Sequence, residues 1–242
     1  MKIGMNKQKF AFTLAEVLIT LSIIGVVAAL TLPVVVSNYN KKITEVRLKK
    51  FYSVMNQAVE RLKTEYGDLG SWGYDIDNVL YDDNAGTANI DNLVDQSDSI
   101  VNNFKKFFGK VINFANEEDV NIDGHNLKLF YFADGSAIMP KWYNSFDYEF
   151  FPKNAKKCLT YTHNERYGTC SFAFQFYSNN TNSNSTFMPY FTNSNKLSKK
   201  QLYENSNKGC SNGIHISGNF CGLIIMQNGW IVPKDYPRKL SY

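Results

Sequence analysis

The segment that decides the fold runs from Phe12 to Val36 and reads FTLAEVLITLSIIGVVAALTLPVVV. Its 25 residues include a single charged side chain, Glu16. At about 1.5 Å of rise per residue, a helix of this length measures roughly 37 Å, enough to cross a hydrocarbon core of roughly 30 Å with some tilt. The composition after Asn38 is that of a water-soluble domain. We therefore expect a short basic leader, one membrane span and an ectodomain of about 200 residues.

The composition of the whole chain excludes several classes of protein. Hydrophobic residues make up 44% and charged residues 20% of the 242 residues, which argues against a disordered chain. Three basic residues precede the apolar segment, and without residues 1–11 there remain 23 basic and 22 acidic residues. This near-neutral balance gives no reason to infer a nucleic-acid partner.

Two ordinary interpretations of the apolar segment are a secretory signal peptide and a permanent anchor. Small residues at 26–30 (VVAAL) would suit signal cleavage, but the segment is long for a signal peptide, whose apolar region usually has about 7–15 residues. Glu16 is unusual for both, because a charge at membrane depth costs at least about 2–3 kcal/mol. An ionisable residue in such a place indicates a function and needs a partner.

Residues 9–19 read KFAFTLAEVLI, in which a basic leader and a small residue precede Phe-Thr-Leu-x-Glu at the start of the apolar segment. This pattern resembles the processing motif of the type IV prepilins and of the pseudopilins of type II secretion. The resemblance implies that a prepilin peptidase cleaves on the cytoplasmic side, after Ala11, and that the new N-terminal residue, Phe12, is N-methylated. Ala11 stands where the family more often has Gly, and Ala15 replaces a larger apolar residue.

Two further positions of the span fit this resemblance. Gly25 and Pro33 fall where members of the family often carry a helix-loosening Gly and a Pro. Pro33 removes one i to i−4 hydrogen bond, so we expect a kink or local melting of the helix there. Both residue types are common in membrane helices, so their positions add only modest support.

In a filament of the kind that this family forms, Glu16 would have a role in assembly. We expect its carboxylate to face the N-terminal amine of Phe12 on a neighbouring subunit, because either charge alone is costly in an apolar bundle. Such a pair would fix the axial register of adjacent helices. The alternative is a carboxylate that extends to the membrane face. The partners implied are other copies of the chain, other pilin-like subunits, the prepilin peptidase, the inner-membrane assembly platform and the membrane.

The cysteines indicate the compartment of the ectodomain. Basic residues flank the span on both sides, so the positive-inside rule does not decide the orientation; those on the far side are Lys41, Lys42, Arg47, Lys49 and Lys50. All four cysteines lie in the last third of the chain, which fits disulfides in an oxidising compartment. We therefore expect a single-pass protein of the bacterial inner membrane with a cytoplasmic N-terminus. Its head is extracytoplasmic and later belongs to a periplasmic or surface filament.

Four cysteines allow three pairings. We favour Cys158–Cys170 and Cys210–Cys221, because these pairs bracket compact, turn-rich segments of 11 and 10 residues. The rival is a zinc site, for which the chain lacks a C-x-x-C pair.

After the span, the helix is expected to continue to Tyr66 and to end at Gly67 and Gly70. A stripe of apolar residues at intervals of three and four predicts an amphipathic helix that packs on a sheet; its members are Leu48, Phe51, Met55, Ala58, Leu62 and Tyr66. The predicted fold class is α+β and pilin-like, with a long N-terminal helix packed on an antiparallel β-sheet head. Its parts are a leader (1–11), a transmembrane helix (12–36), an amphipathic continuation (37–66) and a globular head (67–242).

The head is expected to begin with a surface connection over 68–100 and a short helix near 100–108. Strand signals begin near Val120, and a strand at 126–132 lies between Asp-Gly turns at 123–124 and 134–135, with the meander continuing through 136–139. A further strand is predicted at 171–177, followed by an exposed loop at 178–195. Residues 222–226 and 230–232, on either side of Asn228-Gly229, predict a terminal hairpin.

One short motif is a weak candidate for calcium. Asp119, Asn121 and Asp123 belong to DVNIDG, the first half of a calcium loop, in which alternate oxygens can converge on one ion. The twelfth position is Phe130, so the bidentate acid of such loops is missing. The alternative is a polar turn that enters a strand. No other cofactor is predicted.

Enzymatic function has little support in the sequence. Ser136 lies in Asp-Gly-Ser, which lacks the Gly-x-Ser-x-Gly pattern of a nucleophile elbow. Adjacent acids, at 82–83 and 117–119, are usually solvated. We therefore predict a structural subunit of a type IV pilus-like or type II secretion pseudopilus filament, with a slight preference for the pseudopilus. The rival is a singly anchored or secreted extracytoplasmic binding domain.

Overall fold

A computed structural model describes residues 13–67, 97–141, 147–176, 186–191, 197–213 and 215–242. The chain forms two compact units, Met1–Tyr39 and Asn40–Tyr242. The helices are α1 (Leu14–Tyr66), α2 (Ser97–Val111), α3 (Ala155–Leu159), α4 (His163–Arg166), α5 (Lys199–Glu204) and α6 (Cys221–Gln227). The strands are β1 (Asn116–Ile122), β2 (His125–Tyr131), β3 (Ala137–Pro140), β4 (Asp147–Phe151), β5 (Phe172–Gln175) and β6 (Met188–Pro189).

Helix α1 confirms the predicted long helix and ends at Tyr66, as expected. Gly67 follows with φ of 77°, and its N–H donates to the carbonyl of Lys63 at 2.9 Å, the usual way in which a glycine ends a helix. The predicted apolar stripe is buried from Leu48 to Leu62, and the buried face begins earlier, with two polar residues, Asn40 and Thr44. This part of α1 is therefore a core element of the second unit.

The sheet is antiparallel, and its six strands are paired in sequence order from β1 to β6. The β1–β2 turn has Asp123 and Gly124 at φ of 53° and 90°, the left-handed conformations that a two-residue hairpin turn requires. Gly135, at φ of 78°, serves the turn between β2 and β3. Both predicted Asp-Gly turns and the α+β architecture are confirmed.

Aromatic side chains dominate the core of the second unit. Phe51 of α1 stacks on Phe150 of β4 with ring centroids 4.0 Å apart, and its edge meets Phe174 of β5 at 4.7 Å. From α2, Phe104 lies 4.8 Å from Phe130 of β2. Ring pairs of this kind add about 0.5–1.5 kcal/mol each to the burial of their area. They hold α1 and α2 against the sheet.

The predicted terminal hairpin is wrong. Residues 221–227 form α6, because a short apolar run fits a buried helix as well as a strand and periodicity does not separate the two. Asn228-Gly229 ends this helix instead of turning a hairpin: Gly229 and Trp230 have φ of 71° and 66°, and the N–H of Trp230 donates to the carbonyl of Ile225 at 2.8 Å.

The predicted exposed loop at 178–195 also needs correction in its described part. Phe187 is fully buried and Met188–Pro189 form β6 at the edge of the sheet. Pro189 is compatible with an edge strand because it has no N–H to donate to a further strand. The sequence analysis did not predict this two-residue strand because the residues around it are mostly polar. Residues 68–96 of the predicted surface connection at 68–100 lie outside the described residues. The short helix predicted near 100–108 corresponds to α2.

Candidate functional site in the N-terminal helix

The N-terminal part of α1, from Leu14 to Tyr39, exposes its apolar side chains. Most large apolar residues there are more than half exposed, among them Leu18, Ile19, Leu21, Ile23, Ile24, Val26, Leu30 and Val35. Among the described residues, α1 is the one helix that is long and apolar enough to cross a membrane. A signal sequence meets the same criterion, so length and composition alone do not separate anchoring from export.

Three hydroxyl groups between Leu14 and Val36 donate to carbonyl groups of the same helix. Thr20 donates to the carbonyl of Val17, Ser22 to that of Leu18 and Thr31 to that of Val27, all at 2.8–2.9 Å. In a hydrocarbon environment every polar group needs such a partner, because no water is present. Apart from Glu16, the part from Leu14 to Val36 therefore presents an apolar surface around its whole circumference.

Glu16 has a local partner that the sequence analysis missed. Its Oε2 accepts hydrogen bonds from the backbone N–H of Thr13, at 2.8 Å, and from the Thr13 hydroxyl, at 2.7 Å. The hydroxyl oxygen in turn lies 3.3 Å from the backbone nitrogen of Glu16. This reciprocal arrangement is a capping box, and the Thr-x-x-Glu spacing immediately before an apolar run was the signal for it.

The capping box leaves part of the carboxylate available. Both hydrogen bonds go to Oε2, and Oε1 accepts none from the described part of the chain. The negative charge also remains, since Thr13 contributes only neutral donors. Capping and ionic pairing with a second subunit are therefore compatible roles for Glu16. Ala11 and Phe12, the predicted cleavage and methylation residues, lie outside the described residues.

Helix α1 runs through Gly25 and Pro33 without interruption. The local melting considered for Pro33 is thus absent from this structure, and a bend there stays a prediction. A Cβ atom built on Gly25 would meet nothing within 4 Å. Gly25 is therefore not required by packing within the chain.

The comparisons with known proteins agree with the position of this site. A prokaryotic N-terminal methylation motif matches residues 6–32. A second match, to a family of unknown function (DUF6613), covers residues 34–240, which is most of the chain. The chain belongs to the DUF6613 family. No curated protein and no solved structure matches it.

Residues 6–32 of this DUF6613 protein are thus a prepilin-type cleavage and methylation signature. The motif supports a precursor of the type IV pilin or pseudopilin kind, and proteins of that kind are structural rather than catalytic. Together with the apolar helix it indicates membrane anchoring with an extracellular head. The DUF6613 match covers the rest of α1 and nearly all of the head.

The four cysteines of the head form two disulfides, Cys158–Cys170 and Cys210–Cys221, the pairing that the sequence favours.

Arg238 connects the two disulfide-closed loops, a feature that the sequence analysis did not predict. Arg238 donates to carbonyl groups in both disulfide-closed loops, those of Asn164 and Tyr167 in the first and those of Ser211 and Ile216 in the second, at 2.6–3.0 Å.

We call residues 230–242 the C-terminal strap. Asn40 of α1 donates to the carbonyl of Leu240 at 3.1 Å, and Glu45 accepts from the N–H of Val232 at 3.1 Å. The hydroxyl groups of Thr44 and Tyr242 are also hydrogen-bonded to each other. The strap therefore fixes the first turns of the buried part of α1.

The head has an open cleft of about 560 Å³ whose walls include Lys141, Glu149 and Arg166. Arg166 binds Glu149 through two hydrogen bonds, and Lys141 lies 4.8 Å from the centre of the Tyr167 ring. Burial alone would lower the pKa of Lys141, but Tyr167, Asp147 and Glu149 raise it. Two cations, Lys141 and Arg166, thus lie near two carboxylates, Asp147 and Glu149.

The weak calcium candidates form an ordinary hairpin. Asp119 and Asn121 lie on β1, where Asp119 pairs with Lys128 of β2 at 2.6 Å and Asn121 donates to Asn126 at 3.0 Å. Asp123 is a turn residue. The described residues contain no group of three or more His, Cys, Asp or Glu side chains that could hold a metal ion.

The adjacent acids at 117–119 are engaged in separate ion pairs. Glu117 binds Lys105 at 2.7 Å and Glu118 binds Lys156 at 2.6 Å. Ser136 donates to Asp134 at 2.5 Å, within a turn. None of these side chains is assembled with a histidine in a hydrogen-bonded catalytic arrangement among the described residues. Asp82 and Asp83 lie outside them.

Proposed function

We propose that this protein is a structural subunit of a type IV pilus-like or type II secretion pseudopilus filament. The observation that carries the proposal is the N-terminal methylation motif at residues 6–32, whose described part from Leu14 lies on a helix with apolar side chains exposed all round. An apolar helix of this kind needs either lipid or other copies of itself. Before assembly the membrane supplies that environment, and in a filament the neighbouring helices supply it.

The maturation steps follow from the same motif. A prepilin peptidase would cleave after Ala11 and expose the amine of Phe12, which would then be methylated. The inner-membrane assembly platform would extract the subunit, with its N-terminus starting on the cytoplasmic side and its head outside. Two disulfides in the head support an oxidising compartment. These steps require no catalytic group in this chain.

The role of Glu16 in assembly is electrostatic. Its Oε1 is available, its charge is uncompensated within the described chain, and Phe12 of a neighbour would bring a positive amine. In an apolar bundle each charge alone is costly, so pairing favours one axial register of adjacent helices. The capping box adds a second, local function, because it satisfies the N–H of Thr13 at the helix start.

The first test is the intact mass and the N-terminal peptide of the protein from its native host. We expect a chain that begins at Phe12 and carries one additional methyl group. A start near Leu30 or Thr31 would instead show a secreted domain released by signal peptidase. An intact Met1 terminus throughout would show a simple anchor. Either result would overturn the proposal.

The second test separates the charge of Glu16 from its capping role. Glu16→Gln keeps a capping-box residue at that position but removes the charge, whereas Thr13→Ala keeps the charge and removes the side chain that completes the cap. We expect both variants to insert and be cleaved, with incorporation into filaments reduced on the order of tenfold or more for Glu16→Gln only. Normal incorporation of Glu16→Gln, measured by cross-linking of neighbouring subunits, would exclude the ionic pairing.

A further inference from the structure

The basic residues that follow the span are not explained by filament assembly. The leader has three lysines, yet five basic residues lie between 41 and 50 on the other side of the span. The positive-inside bias does not favour cations on that outer side. The structure accounts for two of the five. Arg47 donates to the carbonyls of Asp134 and Pro152, and Lys50 binds the Asp134 carboxylate at 2.8 Å.

Two of the three that remain, Lys41 and Lys42, have further lysines near them. Asn40 binds the carbonyl of Leu240, which places Lys239 beside the start of the buried part of α1. Lys157 donates to the backbone oxygen of Tyr242 at 3.2 Å, and the hydroxyl of Tyr242 is hydrogen-bonded to Thr44, one turn after Lys41. We call the resulting group the basic collar; it consists of Lys41, Lys42, Lys157 and Lys239.

The basic collar is poorly neutralised. Lys41, Lys157 and Lys239 form no ion pair with an acidic side chain of the described residues. Lys42 approaches Glu45 at 3.8 Å, but the Glu45 side chain is only 17% exposed and already accepts from the N–H of Val232. Lys42 keeps 74% of its side chain exposed. Lys42, Lys157 and Lys239 are exposed and Lys41 is half-buried, and Glu45 is the one acidic side chain of the described residues that pairs with any of the four.

The position of the collar points to lipid. Lys41 and Lys42 stand five and six residues after Val36, the end of the predicted span. At about 1.5 Å per residue this is roughly 8–9 Å of helix, comparable with the headgroup layer and with a Debye length of about 8–10 Å. Tyr39, 56% exposed, is a residue type enriched at that interface.

We propose that the basic collar binds the anionic headgroups of phospholipids at the outer surface of the membrane. The contact lasts until the subunit is extracted, when the collar exchanges lipid for water. Clusters of about four or more basic residues on the cytoplasmic side of a span bind anionic lipid, and the same attraction acts at any leaflet surface that carries anionic headgroups. The inference rests on the proposed function, because the collar meets lipid only if residues 12–36 span the membrane with the head outside.

The test uses the full chain in nanodiscs with equal amounts of phosphatidylglycerol and phosphatidylcholine. The chain is released gently, and native mass spectrometry counts the lipids that stay bound. We expect phosphatidylglycerol to be enriched by about fivefold or more over phosphatidylcholine. The enrichment should be lost in the variant Lys41→Gln, Lys157→Gln, Lys239→Gln. It should also fall with rising salt before release, because exposed charges are screened.

A matched control removes three lysine charges from other parts of the head. Lys106→Gln, Lys128→Gln, Lys200→Gln takes lysines from α2, β2 and α5 and should retain the enrichment. Equal retention of both lipids by the parent chain, or enrichment that persists in the collar variant, would overturn the lipid contact. Collar-dependent binding of a short DNA duplex without lipid enrichment would assign the surface to nucleic acid instead.

Failure of the inference is distinguishable from failure of the proposed function. A chain that does not remain in the nanodiscs would overturn the membrane span and the lipid contact together. A chain that remains and is processed at Ala11, yet shows no lipid preference, would overturn the collar alone and leave the filament proposal intact.

Discussion

Arg166 and Glu149 form a two-pronged ion pair inside the head, with Nε to Oε1 at 2.7 Å and Nη2 to Oε2 at 3.0 Å. The side chain of Glu149 is 1% exposed and that of Arg166 10%. Burial alone would raise the pKa of Glu149, but the charge and hydrogen bonds of Arg166 lower it below its ordinary value. The pair joins β4 to α4, and α4 lies within the first disulfide-closed loop, between Cys158 and Cys170.

Removing one member of this pair should be costly. Arg166→Met leaves Glu149 buried without its main partner, so we expect the free energy of unfolding of the head to fall by about 3–5 kcal/mol. The double variant Glu149→Met, Arg166→Met should be distinctly more stable than the sum of the single changes predicts, because it leaves neither charge unpaired. Urea unfolding of the full chain, followed by tryptophan fluorescence, measures both. Simple additivity would contradict the coupling.

Asp134 makes the head sensitive to acid. Burial alone would raise its pKa, but Lys50 and the two donors of Ser136 outweigh burial and lower the pKa to about 2. Since the folded pKa is below the ordinary 3.8, the stabilisation is present above about pH 4 and is lost as the pH falls towards 2. In the Asp134→Asn variant, the free energy of unfolding at pH 7 should be lower than in the parent by about 1–2 kcal/mol. Between pH 4 and 2 the variant should lose less stability than the parent does, as measured by urea unfolding at each pH.

The control for this prediction is Asp119→Asn, on an aspartate that is 85% exposed beside Lys128. An exposed ion pair contributes about 0–1 kcal/mol to stability, so the free energy of unfolding of this variant should stay close to that of the parent at each pH. An Asp134→Asn variant whose stability falls with acid as steeply as that of the parent would show that Asp134 is not the group responsible.

Arg238 should couple the two disulfide-closed loops. Its guanidinium binds four carbonyl oxygens, in a fork geometry that the single ammonium of lysine does not reproduce. Arg238→Lys keeps the charge but leaves buried carbonyls without donors, and we expect a loss of about 2–4 kcal/mol. Both disulfides should also be reduced faster by a small thiol. Lys239→Gln, at the adjacent exposed residue, is the control and should change neither quantity.

Sequence patterns predicted the features of the fold that depend on neighbours along the chain. The apolar run and the 3–4 spacing of Leu48 to Leu62 predict α1, and the Asp-Gly dipeptides predict the turns of the meander. The methylation motif was recognisable for the same reason, since its residues are consecutive. Cysteine spacing favoured the two disulfides.

Features that depend on tertiary contacts were not predictable in this way. The segment from Gly222 to Met226 is a short apolar run, and such a run fits a buried strand and a buried helix equally well. It forms α6 where it packs against β5 and β6, and these contacts are not visible in the sequence. Glu149 and Arg166 are 17 residues apart and carry no motif. Arg238 resembles any basic residue of a C-terminal segment. Its role exists only because the strap passes both disulfide loops.

Gly168 provides the sharpest test of that packing. Its φ is 72°, and a Cβ atom there would lie 2.3 Å from Sγ of Cys221 and 3.0 Å from Cδ of Arg238. Gly135 has a similar φ of 78°, but a Cβ atom there would meet nothing within 4 Å. Both Ala variants bear the cost of the left-handed conformation, about 1–2 kcal/mol. Only Gly168→Ala must also displace the second disulfide.

We therefore expect Gly135→Ala to fold with a stability loss of about 1–2 kcal/mol and with both disulfides formed. Gly168→Ala should lose considerably more, about 3 kcal/mol or greater, and should form the Cys210–Cys221 bond slowly or incompletely. Peptide mapping without reduction measures the bonds, and urea unfolding measures the stability. Equal losses of stability in the two variants would contradict this prediction. They would show that the second disulfide can move away from a Cβ atom at residue 168 at little cost.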